Sequence, residues 1–168
     1  MDTLTRTRQS IAHADRRDLL GALVAIVAVN AVGAAPAFVF GSNTGWIDRP
    51  WFYPPEWAFG VVWTLLFILL GIALWLVVRD GLDSRPVQLA TGLFVVQMAL
   101  NVAWTPAFFG LESPLAGLAV IVPLWVLIVA TIAAFDRVDR RAAALVVPYL
   151  AWVSFATVLN FEIWRLTG

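Results

Sequence analysis

Arg49-Pro50-Trp51-Phe52-Tyr53-Pro54-Pro55-Glu56-Trp57 runs straight into Ala58-Phe59-Gly60-Val61-Val62-Trp63, and no charge follows Glu56 until Arg79. Proline fixes φ and lacks a backbone donor, so Pro54-Pro55 cannot sit inside a helix but suits the approach to its first turn. Trp and Tyr favour the membrane interface, where the ring is buried and the polar edge stays wet. The stretch therefore predicts a stiff amphipathic segment at a membrane surface, leading directly into a spanning helix.

Outward from it, the chain is built of apolar blocks. Its 168 residues are 61% hydrophobic and only 13% charged, and the mean hydropathy is +0.86. So little charge does not cover the surface of an ordinary soluble domain. Five segments, 19–40, 57–78, 87–109, 115–135 and 142–163, are each about 22 residues long, enough to cross roughly 30 Å of hydrocarbon as a helix. Only the last carries a charge, Glu162. The fold class is an all-α integral membrane protein, a bundle of five transmembrane helices over residues 19–166, after a polar tail over 1–18 that is disordered or a short surface helix near 15–20. The first segment is too long, and too far from the start, for a cleavable signal.

The chain has no cysteine, and its single histidine, His13, lies in the tail. No metal site is expected. Every basic residue is arginine. Arg6, Arg8, Arg16 and Arg17 precede helix 1, Arg79 and Arg85 follow helix 2, and Arg137, Arg140 and Arg141 follow helix 4. Five spans put all of these on one side, against Arg49 and Arg165 on the other. The positive-inside rule then places the N-terminus in the cytoplasm, in a prokaryotic cell membrane, with the stretch from Arg49 to Trp57 outside.

Helical spacing aligns Phe59, Trp63, Phe67, Leu70 and Leu74 on one face of helix 2. Gln97, Asn101, Trp104 and Phe108 share a face of helix 3, opposite Ala99, Ala103 and Ala107. Helix 5 aligns Trp152, Ala156, Leu159 and Ile163, flanked by Phe155 and Asn160. Pro106 should kink helix 3 and Pro36 should bend or end helix 1, while helix 4 reads as structural. Such stripes are more often packing than ligand sites. Here, however, tryptophans deeper than the interface accompany amides, and polar groups at membrane depth face a protein interior or a cavity. Aromatic walls with a few amides suit a flat, largely apolar ligand, such as a tetrapyrrole or a sterol. The spanning segments hold no carboxylate pair, no Ser–His–Asp set, no phosphate loop and no mid-membrane charge, which counts against hydrolases, pumps and ion channels. Without an internal repeat, an inverted-repeat transporter is disfavoured too.

Three motifs resemble the TspO/MBR family of translocator and tryptophan-rich sensory proteins. Arg49-Pro50-Trp51-Phe52-Tyr53-Pro54-Pro55 with Phe59, Val62-Trp63 and Gly71 is similar to the family's lid and second helix. Leu100-Asn101-Val102-Ala103-Trp104-Thr105-Pro106 with Phe108-Phe109-Gly110 is similar to its third helix. Pro148-Tyr149-Leu150-Ala151-Trp152 with Phe155-Ala156, Leu159-Asn160 and Ile163-Trp164 is similar to its fifth. Arg49 stands where the family has Lys and Phe52 where it has Trp. The resemblance implies a pocket between the helices for porphyrins (protoporphyrin IX or haem) and similar hydrophobic molecules, in a membrane receptor or carrier for tetrapyrrole handling or stress signalling.

Trp63, Phe67, Asn101, Trp104, Trp152 and Ala156 match the family's pocket positions, and Gln97 and Phe155 join them from the stripes. Arg49, Trp51, Tyr53, Pro54 and Pro55 form the lid. The resemblance implies no obligatory cofactor, the porphyrin or haem being the ligand. Its partners are that ligand, membrane lipid and a second copy in a homodimer, for which Ala99, Ala103 and Ala107 offer a small-residue contact; no nucleic acid is expected. The alternatives are a light-dependent porphyrin-degrading enzyme, in which Trp63 and Trp152 take part in redox chemistry, and a sterol- or lipid-binding transporter. Val158, Phe161 and Arg165 carry Phe where the animal sterol motif has Tyr, so the sterol is the weaker of the two ligands.

Overall fold

The structure, a computed structural model, describes residues 2–41 and 43–167, with side chains from residue 16 onward. Helices α1 (Asp2–Phe40), α2 (Glu56–Val78), α3 (Arg85–Thr105), α4 (Pro114–Asp136) and α5 (Arg140–Thr167) follow one another, and a single π turn, Pro106–Gly110, extends α3. Each carries a stretch long and apolar enough to cross a membrane, in α1 the part over Arg16–Phe40. Helices α2 to α5 begin and end within about a turn of the expected segments, whereas α1 starts at Asp2 and not near 19: the stretch expected to be disordered or a short surface helix near 15–20 continues the first span as one helix. The side chain of His13 lies outside the described residues.

The local chemistry explains the ends. Ser84 and Ser113 cap α3 and α4, accepting from Val87 N (3.4 Å) and Ala116 N (3.2 Å), with Pro86 and Pro114 in the first turns where no donor is needed. The Asp139 carboxylate accepts from Arg141 N at 2.8 Å at the start of α5. Pro36 does not end α1. The helix runs one turn past it and stops at Gly41, whose φ of +68° reverses the chain while its N–H donates to the Ala37 carbonyl at 3.0 Å. Pro106 does more than kink α3. It opens the wider turn, in which Leu111 N donates to the Pro106 carbonyl and Ser113 N to that of Phe108.

Packing places the helices in a ring, α1–α2–α5–α4–α3, closed by α1 against α3. Gly71 sets the approach of α1 to α2, because a Cβ there would lie 2.5 Å from the Ile26 Cα. In the half of the bundle away from the lid the ring is filled solid. Phe94 and Phe135 stack at 5.9 Å, and Val77, Ala90, Ile128 and Val146 are essentially inaccessible. A second cluster, Ile47, Phe108, Leu159 and Ile163 with Phe52 and Phe155 against it, closes the lid end. Between the two the bundle is hollow.

Candidate functional site

The hollow is a cavity of about 450 Å³ reached by the lid and by every helix, within the roughly 300–1,000 Å³ usual for small-molecule sites. The α2 stripe supplies Phe59, Trp63 and Phe67 as one wall, and α5 supplies Trp152 and the small Ala156 as another. Trp63 and Phe67 lie 5.4 Å apart, and Phe59 meets Trp152 edge-on at 6.0 Å. The π turn stacks Phe108 on Trp104 at 5.0 Å and sets Phe109 edge-on to Trp104 at 5.8 Å. Its extra residue per turn is what aims these three rings into one place.

The amides are mostly spent inside the protein. Asn101 Nδ2 donates to Tyr149 Oη at 2.9 Å, and Trp104 Nε1 donates to Asn160 Oδ1 at 3.1 Å. Asn160 Nδ2 in turn donates to the Pro114 carbonyl at 2.8 Å, and Asn30 Nδ2 to that of Ile26 at 3.0 Å. Trp152 differs. Its indole N–H is buried with no partner among the described residues, on a ring that lines the cavity. A buried donor left unpaired costs about 1–3 kcal/mol, and a ligand acceptor would recover that.

Six of the eight expected ligand residues, Trp63, Phe67, Asn101, Trp104, Trp152 and Ala156, border the cavity. Gln97 and Phe155 do not. Gln97 shares its face of α3 with Asn101 but lies one turn, about 6 Å, further from the lid, inside the solid half. There it is fully buried with both amide atoms unpartnered. Phe155 turns toward the lid and meets Phe52 at 6.3 Å. Helix α4, read as structural, contributes Ile121 and Leu124 to the cavity, and α1 contributes Asn30, Gly33, Ala34 and Ala37. The α1 contribution has a sequence signal in its run of small residues, Ala31, Gly33, Ala34, Ala35 and Ala37, and Gly33 also makes room for the Phe67 ring. Ile121 and Leu124 carried none.

The lid is held by one guanidinium. Arg49 Nη2 donates to Glu56 Oε1 at 2.9 Å and to Thr44 Oγ1, and its Cζ lies 4.9 Å over the Tyr53 ring. Asp48 N donates to Thr167 Oγ1 at 3.2 Å, pinning the lid to the end of α5. Of the expected lid residues, Tyr53 lines the cavity, whereas Arg49, Trp51, Pro54 and Pro55 do not. Trp51 is 96% exposed, directed away from the protein. Burial raises the Tyr53 phenol above its ordinary pKa, opposed by the charge of Arg49, so Tyr53 stays a neutral O–H at the cavity mouth.

The arrangement can hold a flat apolar molecule between aromatic faces, beside one buried N–H that has no partner among the described residues. Residues 22–165 match the model of the TspO/MBR family. The chain is 46% identical over 140 residues to the tryptophan-rich protein TspO of Chlorobaculum tepidum, covering 81% of this chain and 89% of that one. It is 38% identical to the protein of the same name from Archaeoglobus fulgidus, over 90% and 99%. The human translocator protein is 36% identical, over 76% of this chain and 78% of its own.

Proposed function

We propose, because the chain belongs to the TspO/MBR family and hollows out this cavity, that it is a membrane receptor or carrier for porphyrins. The observation that carries the reading is the cavity wall, where Trp63, Trp104 and Trp152 surround one space and the Trp152 N–H has no internal partner. Aromatic faces match the π surface of a tetrapyrrole, and the N–H matches an acceptor on its rim. The protein is an integral membrane protein of five spans; a prokaryotic cell membrane with the arginine-rich end in the cytoplasm belongs to the proposal.

The test is a titration of purified protein with protoporphyrin IX in the dark, followed by illumination, reading Trp fluorescence and the porphyrin absorption bands together. Saturable quenching with an unchanged porphyrin spectrum is expected. No saturable quenching would sink the reading. A second reading, light-dependent porphyrin degradation, is favoured by the placement of Trp63 and Trp152 on the wall of one cavity. It requires loss of the bands in the light, abolished by Trp63→Phe with Trp152→Phe.

A homodimer through Ala99, Ala103 and Ala107 is part of the same proposal. Ala99 is exposed and the other two are half-buried, which leaves a shallow face for close helix approach. Ala99→Trp should convert a dimer to a monomer in light scattering of the detergent-solubilised protein; an unchanged mass rejects this face.

A further inference from the structure

At the end of the bundle opposite the lid, a second hollow of about 560 Å³ opens between the start of α3 and the end of α4, lined by Arg85, Pro86, Gln88, Leu89, Ala134 and Arg137. It shares nothing with the central cavity. Its two cations come from different helices yet face one space. Arg49, Arg79, Arg141 and Arg165 each pair with a carboxylate. Neither Arg85 nor Arg137 forms an ion pair with any described carboxylate, although Asp83 and Asp136 are close in sequence.

The hollow is amphipathic, and its polarity runs along the membrane normal. Arg85 immediately precedes the apolar run of α3 and Arg137 follows that of α4 with Asp136 between, so both guanidiniums stand where the helices leave hydrocarbon. Ala134, 5% exposed, closes the back of the hollow. Leu89, exposed on α3 one turn nearer the membrane centre than Arg85, is its apolar wall. Two unpaired guanidiniums and the Gln88 amide at headgroup level, beside the exposed Leu89, match a phosphate that carries an acyl chain. Guanidinium grips phosphate through paired hydrogen bonds, and basic pockets between spanning helices take acidic headgroups.

We propose that this groove is a binding site for an anionic phospholipid, its phosphate between Arg85 and Arg137 and one acyl chain against Leu89. Net negative charge distinguishes the occupant from a zwitterionic lipid, whose own cation already balances its phosphate. The acyl chain distinguishes it from free phosphate, which gains nothing from Leu89.

The test uses the full chain in detergent, with native mass spectrometry counting bound phosphatidylglycerol or phosphatidylcholine of matched chain length. Wild type should retain phosphatidylglycerol in preference to phosphatidylcholine. Arg85→Gln and Arg137→Gln should each lower that preference by about fivefold, and Leu89→Gln should weaken both lipids without changing their ratio. Arg16→Gln with Arg17→Gln, which removes two charges from the exposed start of the first span, should leave the preference intact. Equal loss in that control would mean diffuse attraction and overturn the site. Equal retention of the two lipids by wild type would overturn it without any variant. Displacement of phosphatidylglycerol by millimolar inorganic phosphate would show an anion site indifferent to the chain, and would also overturn the proposal. Protoporphyrin IX quenching in the same variants reports on the separate central cavity and should not change, which establishes that they are folded.

Discussion

At the scale of single residues, two tryptophans on one cavity have different jobs because their N–H groups have different partners. The Trp104 indole N–H is committed to Asn160, which also holds the Pro114 carbonyl at the start of α4. Trp104→Phe therefore leaves the buried Asn160 Oδ1 unpaired, at a cost of about 1–3 kcal/mol, and should lower the Tm. Trp152→Phe removes a buried donor with no partner in the protein, so it should not lower the Tm, while it weakens protoporphyrin IX binding by about tenfold. Thermal unfolding and quenching titrations on the two variants separate the roles. A Tm loss at Trp152 equal to that at Trp104 would contradict them. Sequence pattern made both rings candidates but could not assign these partners, since Asn160 and Pro114 reach Trp104 only when three helices meet.

At the scale of elements, close approach and capping are the controlling features. Gly71→Ala puts a methyl against the Ile26 backbone, which cannot yield as a flexible side chain would. Separation of α1 from α2 should cost about 1–3 kcal/mol, read as a lower Tm. Gly60, open on all sides, is the control and should tolerate alanine. At the start of α5, the Asp139 carboxylate is held at a pKa of about 2, chiefly by its hydrogen bond from Arg141, with Arg79 of the α2–α3 connection at 3.8 Å. A depressed carboxylate pKa stabilises the folded state above its unfolded value, about 3.9, and that contribution is lost as pH falls through about 2. The Tm difference between wild type and Asp139→Asn should thus be constant above pH 4 and vanish toward pH 2. A difference that persists at pH 2 would place the effect elsewhere.

At the scale of the whole molecule, the lid joins the ends of separate helices over the cavity. Arg49 connects Thr44, Tyr53 and Glu56, with side chains that are 43% exposed for Arg49 and 74% for Glu56 in the ion pair. Exposed pairs of this kind contribute at most about 1 kcal/mol to stability. Arg49→Ala should accordingly leave the Tm nearly unchanged yet release bound porphyrin several-fold faster, since only the lid is loosened. Stopped-flow dissociation checks this; an unchanged rate would mean that the ligand leaves by another route.

The sequence alone determined the five spans and the aromatic faces of α2, α3 and α5, but not that the polar start of the chain continues α1 as helix from Asp2. These follow from hydropathy, proline and 3.6-residue spacing, which act over short stretches of chain. It placed Asn101 and Gln97 on one face, but periodicity reports direction and not whether neighbouring helices close up at that depth. Only the tertiary structure decided that the ring runs α1–α2–α5–α4–α3, hollow toward the lid and solid away from it. That division rests on contacts between residues far apart in the chain, through which Asn101 borders a cavity, Gln97 is sealed in the core, and the plain apolar residues Ile121 and Leu124 become part of a site.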